Sequence, residues 1–158
     1  MKHFSLAAFS AERRMAALTF FTDTHLRETK TRSLPSTRVK AIGSVRELVT
    51  RSFEDERPEF VAIYWPVAKA GTRLLAYCDA VKEIADELGI PSVYVNDAAL
   101  MSAYGHPPLA RKEHVRRVGW AIWPDLNYAK SKPAAVDAAT AGLYVQTQRL
   151  FSLSEAHA

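Results

Sequence analysis

The run Phe60-Val61-Ala62-Ile63-Tyr64-Trp65, closed by Pro66, decides the fold. A continuous apolar run of strand length marks a strand buried on both faces, and the proline bars its extension. Downstream, Leu74, Leu75, Cys78, Val81, Ile84, Ala85 and Leu88 recur on one side of a helix predicted from about Thr72 to Leu88, with Gly89 as its C-terminal stop. Ser92 to Val95 reads as a second buried strand. Strand, helix and strand with short joints form a βαβ unit, and such units build parallel sheets by right-handed crossover.

Upstream, Pro58 ends an amphipathic helix in which Val39, Ile42, Val45, Leu48, Val49 and Phe53 recur at helical spacing, with Ser36 available as its N-cap. Before it lie two short strand-length runs, Phe4 to Phe9 and Met15 to Phe21. The polar group Ser10 to Arg14 separates them, which predicts a β-hairpin. His25 to Ser33, rich in Thr and Arg, suits an exposed third strand at the sheet edge. Beyond the βαβ unit, Asn96 to Pro108 reads as an irregular functional loop containing Gly105 and Pro107-Pro108. A helix is predicted from about Ala110 to Trp123, and a last one from Pro133 to Phe151 with proline in its first turn. The predicted order is three strands, helix, strand, helix, strand, helix, helix.

The 158 residues fit one domain spanning 1–158, and 48% hydrophobic with 24% charged residues is a globular composition without repeats. The net charge of +4 and a pI near 9.3 suit a polyanionic partner and equally an ordinary soluble protein. Cys78 is the single cysteine, which excludes an internal disulfide or a thiolate metal cage and points to a reducing compartment. In its apolar helical setting Cys78 reads as a small core residue. No apolar run approaches the ~20 residues of a membrane span. The opening Met1 to Ser10 is too short in its apolar part, and too closely followed by Glu12-Arg13-Arg14, to read as a signal peptide. A cytoplasmic protein without a membrane partner is expected.

Several local segments carry a family likeness. Leu34-Pro35-Ser36-Thr37-Arg38 opens a helix, Phe60-Val61-Ala62-Ile63 forms a strand, and Ala68-Lys69-Ala70 precedes the next helix. Arg111-Lys112-Glu113-His114-Val115 makes a basic helix start, and Asp137-Ala138-Ala139-Thr140-Ala141 lies in a closing acidic helix. In order and spacing the chain resembles RuvC-type Holliday junction resolvases. The resemblance implies an RNase H-like α/β fold with a mixed five-stranded sheet, three antiparallel strands then two parallel, and helices on both faces. It also implies a two-metal nuclease, because two Mg²⁺ ions ~3.5 to 4 Å apart clamp the attacking and leaving oxygens of a phosphodiester and need a cluster of carboxylates.

Read against the family, the acid that ends the first strand falls on Phe9, the acid that ends the fourth strand on Tyr64, and the two acids of the last helix on Ala134 and Asp137. Asp137 is the one remnant. A ring cannot ligate Mg²⁺, so the resemblance implies a pseudo-nuclease without a cofactor. If the enzyme is active after all, Asp97 is the best replacement acid, and Mg²⁺ would rest on Asp137 and Asp97. Asp23 could join them only with a different strand register. Glu12 is expected in the hairpin turn, solvated.

Lys69, Arg73, Arg111, Lys112, Arg116 and Arg117 fall at joints and helix starts that would rim the face receiving nucleic acid in the resembling family. Such residues either hold phosphates or form a solvated basic surface. Tyr64, Trp65, Tyr104 and His106 could stack on bases, against a core reading for Trp65. His3, His25, His106 and His114 have no partner at ligand spacing, which argues against zinc. Trp120, Trp123 and Tyr128 form either a core anchor or a partner contact. Three functions follow. The first is an inactive RuvC-like domain that binds nucleic acid, structured DNA before RNA, or scaffolds a nucleoprotein assembly, with a homodimer implied by resemblance. The second is an active Mg-dependent structure-selective endonuclease. The third is a protein interaction module.

Overall fold

The computed structural model describes residues 3–65, 71–104, 112–126 and 133–156, with side chains of 112–114 and 153–156 outside the description. One five-stranded sheet organises them, in the order β3-β2-β1-β4-β5. Strands β1 (Ser5–Glu12), β2 (Met15–Thr22) and β3 (His25–Ser33) are antiparallel neighbours. Strands β4 (Phe60–Trp65) and β5 (Ser92–Asn96) run parallel to β1.

The first hairpin is tighter than the sequence suggested. Ser10, Ala11 and Glu12 continue β1, pairing with Ala17, Ala16 and Met15, so only Arg13 and Arg14 make the turn. Their polarity disguised a strand that runs on to the sheet end. Helix α1 (Arg38–Glu56) takes Thr37, not Ser36, as its N-cap residue, without a side-chain capping bond. Its C-cap Arg57 is left-handed at φ 46°, and its N–H donates to the Phe53 carbonyl at 2.9 Å. Helix α2 (Thr72–Glu87) follows, and Gly89 takes φ +70°, a conformation glycine enters without a Cβ penalty.

The segment expected to be irregular from Asn96 begins instead as helix α3 (Asp97–Tyr104), capped by Asn96, whose Oδ1 accepts from the Ala99 N–H at 2.8 Å. Gly105 to Pro108, including His106, lies outside the described residues. Helices α4 (Lys112–Ile122) and α5 (Pro133–Ala156) complete the chain, α5 running beyond the predicted Phe151.

Helices α1 and α2 cover one face of the sheet around Ala7, Phe9, Leu18, Phe20, Val61 and Ile63. The other face, carrying Leu6, Ala8, Phe21, Ala62 and Tyr64, receives α3, α4 and α5. Helix α5 comes very close because its contact side is Ala134, Ala135, Ala138, Ala139, Ala141 and Gly142. A Cβ at Gly142 would stand 2.5 Å from the Phe21 ring and 3.1 Å from Ala8 Cβ. Trp65 is half-buried against Tyr94, ring centroids 4.4 Å apart. Trp123 meets Phe21 edge-on at 6.2 Å, which makes it an anchor under α4, while Tyr128 lies outside the described residues. Among the described residues no helix is long and apolar enough to cross a membrane.

Two outcomes test this packing. Gly142→Ala should destabilise the fold by roughly 1–3 kcal/mol through overpacking, read as a lower denaturant midpoint in urea. Cys78 is buried, and desolvation, with a smaller contribution from Asp79, pushes its thiol pKa up to about 12. It should therefore resist iodoacetamide at pH 8 in the native protein and react readily once unfolded.

Candidate site at the carboxyl end of the sheet

Strands β1, β4 and β5 are parallel, so their carboxyl ends meet at one edge, where open α/β sheets commonly bind ligands. The β1–β2 turn, the last residues of β4 and β5 and the first turns of α2, α3 and α5 gather there.

Side-chain parity along β1 corrects one site assignment. Phe9 is fully buried with Ala7 on the α1/α2 face, away from Asp137. The residue of β1 on the α5 face is Ser10, two positions beyond Ala8, and its partner Ala17 packs with Ala134, Ala135 and Ala138. Ser10 is 1% exposed, and its Oγ has no hydrogen-bond partner among the described residues. Tyr64 does lie on the α5 face, buried with Leu100 and Val115. Ala134 and Asp137 are buried in the first turns of α5. The structure thus brings Ser10, Tyr64, Ala134 and Asp137 to one face and excludes Phe9.

Asp137 is committed to Arg116 of α4. The guanidinium donates from Nε to Oδ1 at 3.1 Å and from Nη2 to Oδ2 at 3.0 Å, a two-pronged pairing. The same Nη2 stands 3.7 Å from Glu12 Oε1. Glu12 shares the α5-facing parity of Ser10; it lies in β1 and not in the turn its sequence context implied, and its side chain, 41% exposed, stays solvated while facing Arg116. Burial lowers the Arg116 pKa, but the opposing effects of Asp137, Glu12 and, more weakly, Asp97 outweigh it and leave the pKa raised. Arg116 was expected on the basic rim; instead it is a cation held among three acids. Thr140 Oγ1, one turn beyond Asp137, donates back to the Val136 and Asp137 carbonyls, both at 3.0 Å.

Helix α4 can deliver this guanidinium because Gly119 lets it lie against α5. A Cβ at that glycine would stand 2.7 Å from Val136 Cγ1 and 3.0 Å from Thr140 Cγ2. Sequence reasoning missed both Glu12 and the inward role of Arg116. The available signal was spacing, since Ser10 and Glu12 alternate with buried residues of β1.

The remaining expected residues are dispersed. Arg73 Nη1 donates to the Ser36 carbonyl at 2.8 Å on the α1/α2 side. Arg117 is exposed on α4. Lys69, Arg111 and the Lys112 and His114 side chains lie outside the described residues. Asp97 opens α3 near Arg116, whereas Asp23 sits at the opposite sheet end, 2.6 Å from His3 Nδ1. Tyr104 is partly buried, which pushes its hydroxyl pKa up to about 12.

These residues do not fit a pair of Mg²⁺ ions. Ser10, Tyr64 and Ala134 offer no carboxylate, and both oxygens of Asp137 already accept from Arg116. Among the described residues no group of three His, Cys, Asp or Glu is placed to hold a metal.

The elements define an RNase H-like α/β fold with a mixed sheet. Solved structures place it more narrowly. The structure of Thermus thermophilus RuvC superposes with a TM-score of 0.72 at 18% identity, over 93% of this chain and 96% of that one. T. thermophilus RuvC in complex with Holliday junction substrate gives 0.73 at 19% identity, over 94% and 96%. A fowlpox virus resolvase in complex with substrate Holliday junction DNA gives 0.59 at 10% identity, over 93% and 99%. At these identities the likeness establishes the fold, which is that of RuvC-type resolvases along nearly the whole chain. No protein-family model and no curated protein sequence matches it.

Breaking the Arg116–Asp137 pair should be costly, because the Asp137 side chain is only 5% exposed and would lose a two-pronged, charge-assisted partner in a buried setting. Arg116→Ala should lose about 3 kcal/mol of stability. Replacing both partners, Arg116→Met with Asp137→Leu, should lose clearly less than the two single changes together, as a double-mutant cycle in urea would read.

Proposed function

We propose that this protein is a catalytically inactive RuvC-like domain that binds nucleic acid, structured DNA in preference to RNA, alone or within a nucleoprotein assembly. The observation that carries this reading is the Arg116 guanidinium seated on Asp137 and facing Glu12. A fixed organic cation there compensates buried carboxylate charge as a metal would. It cannot exchange ligands, polarise a phosphoryl oxygen or generate hydroxide, the contributions on which metal-assisted phosphodiester hydrolysis depends. Ser10 makes a poor substitute nucleophile, since its buried hydroxyl has no base bonded to it among the described residues.

Binding makes smaller demands than cleavage. Phosphate contacts need positive charge and donors on an accessible surface, and the chain carries a net charge of +4. The neighbours in fold include two complexes with Holliday junction DNA, which makes a four-way junction the first ligand to try. The same analogy suggests a homodimer with two-fold symmetry matching the junction.

The full chain mixed with labelled four-way junctions and linear duplexes, in Mg²⁺ or Mn²⁺, should bind the junction in a salt-dependent way and leave every strand intact. Strand cleavage that disappears in Asp137→Asn would overturn the inactive reading and favour a nuclease built on Glu12, Asp97 and Asp137.

A further inference from the structure

The strongest unassigned feature lies at the same sheet end but on the α1/α2 side. Arg14, in the β1–β2 turn, donates from Nε to the Leu34 carbonyl at 2.9 Å, while the Leu34 N–H donates to the Arg14 carbonyl at 2.8 Å. Arg73, near the start of α2, donates to the Ser36 carbonyl at 2.8 Å. Arg38, the first residue of α1, donates to Thr72 Oγ1 at 3.3 Å. The last two bonds cross between the helix starts in opposite directions and clasp the two N-termini together.

Three guanidinium groups are thereby gathered along the turn and residues 34–38, and their electrostatics are unusual. Elsewhere on this surface arginines meet acids: Arg27 with Glu56, Arg46 with Glu83, Arg51 with Glu47. Among the described residues Arg14, Arg38 and Arg73 pair with no carboxylate, and their recorded bonds go to neutral oxygens. Both helices present their positive ends here with no acidic residue in the first turn and no side-chain cap. Cations at helix N-termini oppose the macrodipole, and like charges at close range repel, so the arrangement is destabilising unless an anion joins it. The recorded neutral bonds engage a single nitrogen of each guanidinium, and a planar fork of five N–H donors has others to offer to phosphate oxygens.

We propose that Arg14, Arg38 and Arg73 form a phosphodiester-binding platform that holds the sugar-phosphate backbone of a nucleic acid strand. This deepens the proposed function and rests on it. The platform continues directly from the Arg116 site, because Glu12 and Arg14 stand on either side of Arg13 in one hairpin end. Free inorganic phosphate shares the chemistry but cannot bridge several guanidinium groups as a polymer does.

The full chain, titrated with a labelled four-way junction across a series of salt concentrations, provides the test. The double variant Arg38→Gln, Arg73→Gln should bind about tenfold or more weakly at 0.1 M salt, with a salt slope smaller by about 2. The double variant Arg46→Gln, Arg51→Gln removes equal charge from ion-paired positions of α1 and should keep both affinity and slope. Thermal unfolding of each variant confirms that it is folded; if Arg38→Gln with Arg73→Gln does not fold, Arg14→Gln alone should lower the slope by about 1. Junction binding by the wild type with the same affinity and slope in the platform variants overturns the platform and leaves the proposed function standing. Absence of junction binding by the wild type overturns both. Stabilisation by inorganic phosphate at fixed ionic strength, without junction binding, reassigns the cluster to a small anion and overturns the nucleic-acid ligand.

Discussion

Strand β1 is buried on both faces and pairs on both sides, antiparallel with β2 and parallel with β4. Everything else is positioned through it. Its two-residue period sends Ala7, Phe9 and Ala11 to the helices α1 and α2, and Leu6, Ala8 and Ser10 to α5. A shift of one residue would exchange the two sets, placing the Phe9 ring under an alanine-lined helix that has no room for it. The close approach at Gly142 and the alanines of α5 therefore fix the register of β1 as firmly as its hydrogen bonds do. That register in turn decides that Ser10 and Glu12 face the candidate site.

The second organising element is electrostatic. Asp137 is buried in a helix that packs almost entirely through small apolar residues, and a buried carboxylate needs a partner. Helix α4 supplies one with Arg116, and the arrangement works only because Gly119 permits a close crossing. The pair ties α4 to α5, and the contact with Glu12 ties both to the central strand. A planar guanidinium with a fixed fork suits this better than an ammonium would, because two parallel bonds orient the helix as well as neutralise the acid.

Most of the architecture was legible in the sequence because it rests on strong local signals. The unbroken apolar run from Phe60 to Trp65 and the helical spacing from Leu74 to Leu88 gave β4 and α2, and the Thr-rich segment from His25 gave the edge strand with its observed limits. The errors arose where tertiary structure overrides local character. Ser10 and Glu12 look like turn residues, yet pairing with Ala17 and Met15 keeps them in a strand. Asp97 to Tyr104 has a weak helical pattern, and its helix is fixed by the Asn96 cap and by packing of Leu100. Asp137 was recognised, but its partner lies 21 positions earlier on another helix, a pairing that no local pattern encodes. Phe9 was misassigned by one position, the smallest error a strand allows and the one that reverses its face.

The division of positive charge at this sheet end follows from those constraints. In a two-metal site the ions both neutralise carboxylates and attract the phosphate, so losing them would remove both effects at once. In the proposed binding domain the two effects fall to different residues. Arg116 offsets the charge of Asp137 and, at longer range, of Glu12 and Asp97. Among the described residues Arg14, Arg38 and Arg73 pair with no carboxylate, on the opposite side of the turn and next to two helix N-termini. In the proposed binding mode an anion at the carboxyl end of the sheet is held on the α1/α2 side by Arg14, Arg38 and Arg73. Such a division would suit a binding domain on this fold, since metal-assisted hydrolysis needs the phosphate held at the metals while binding needs it only to be held.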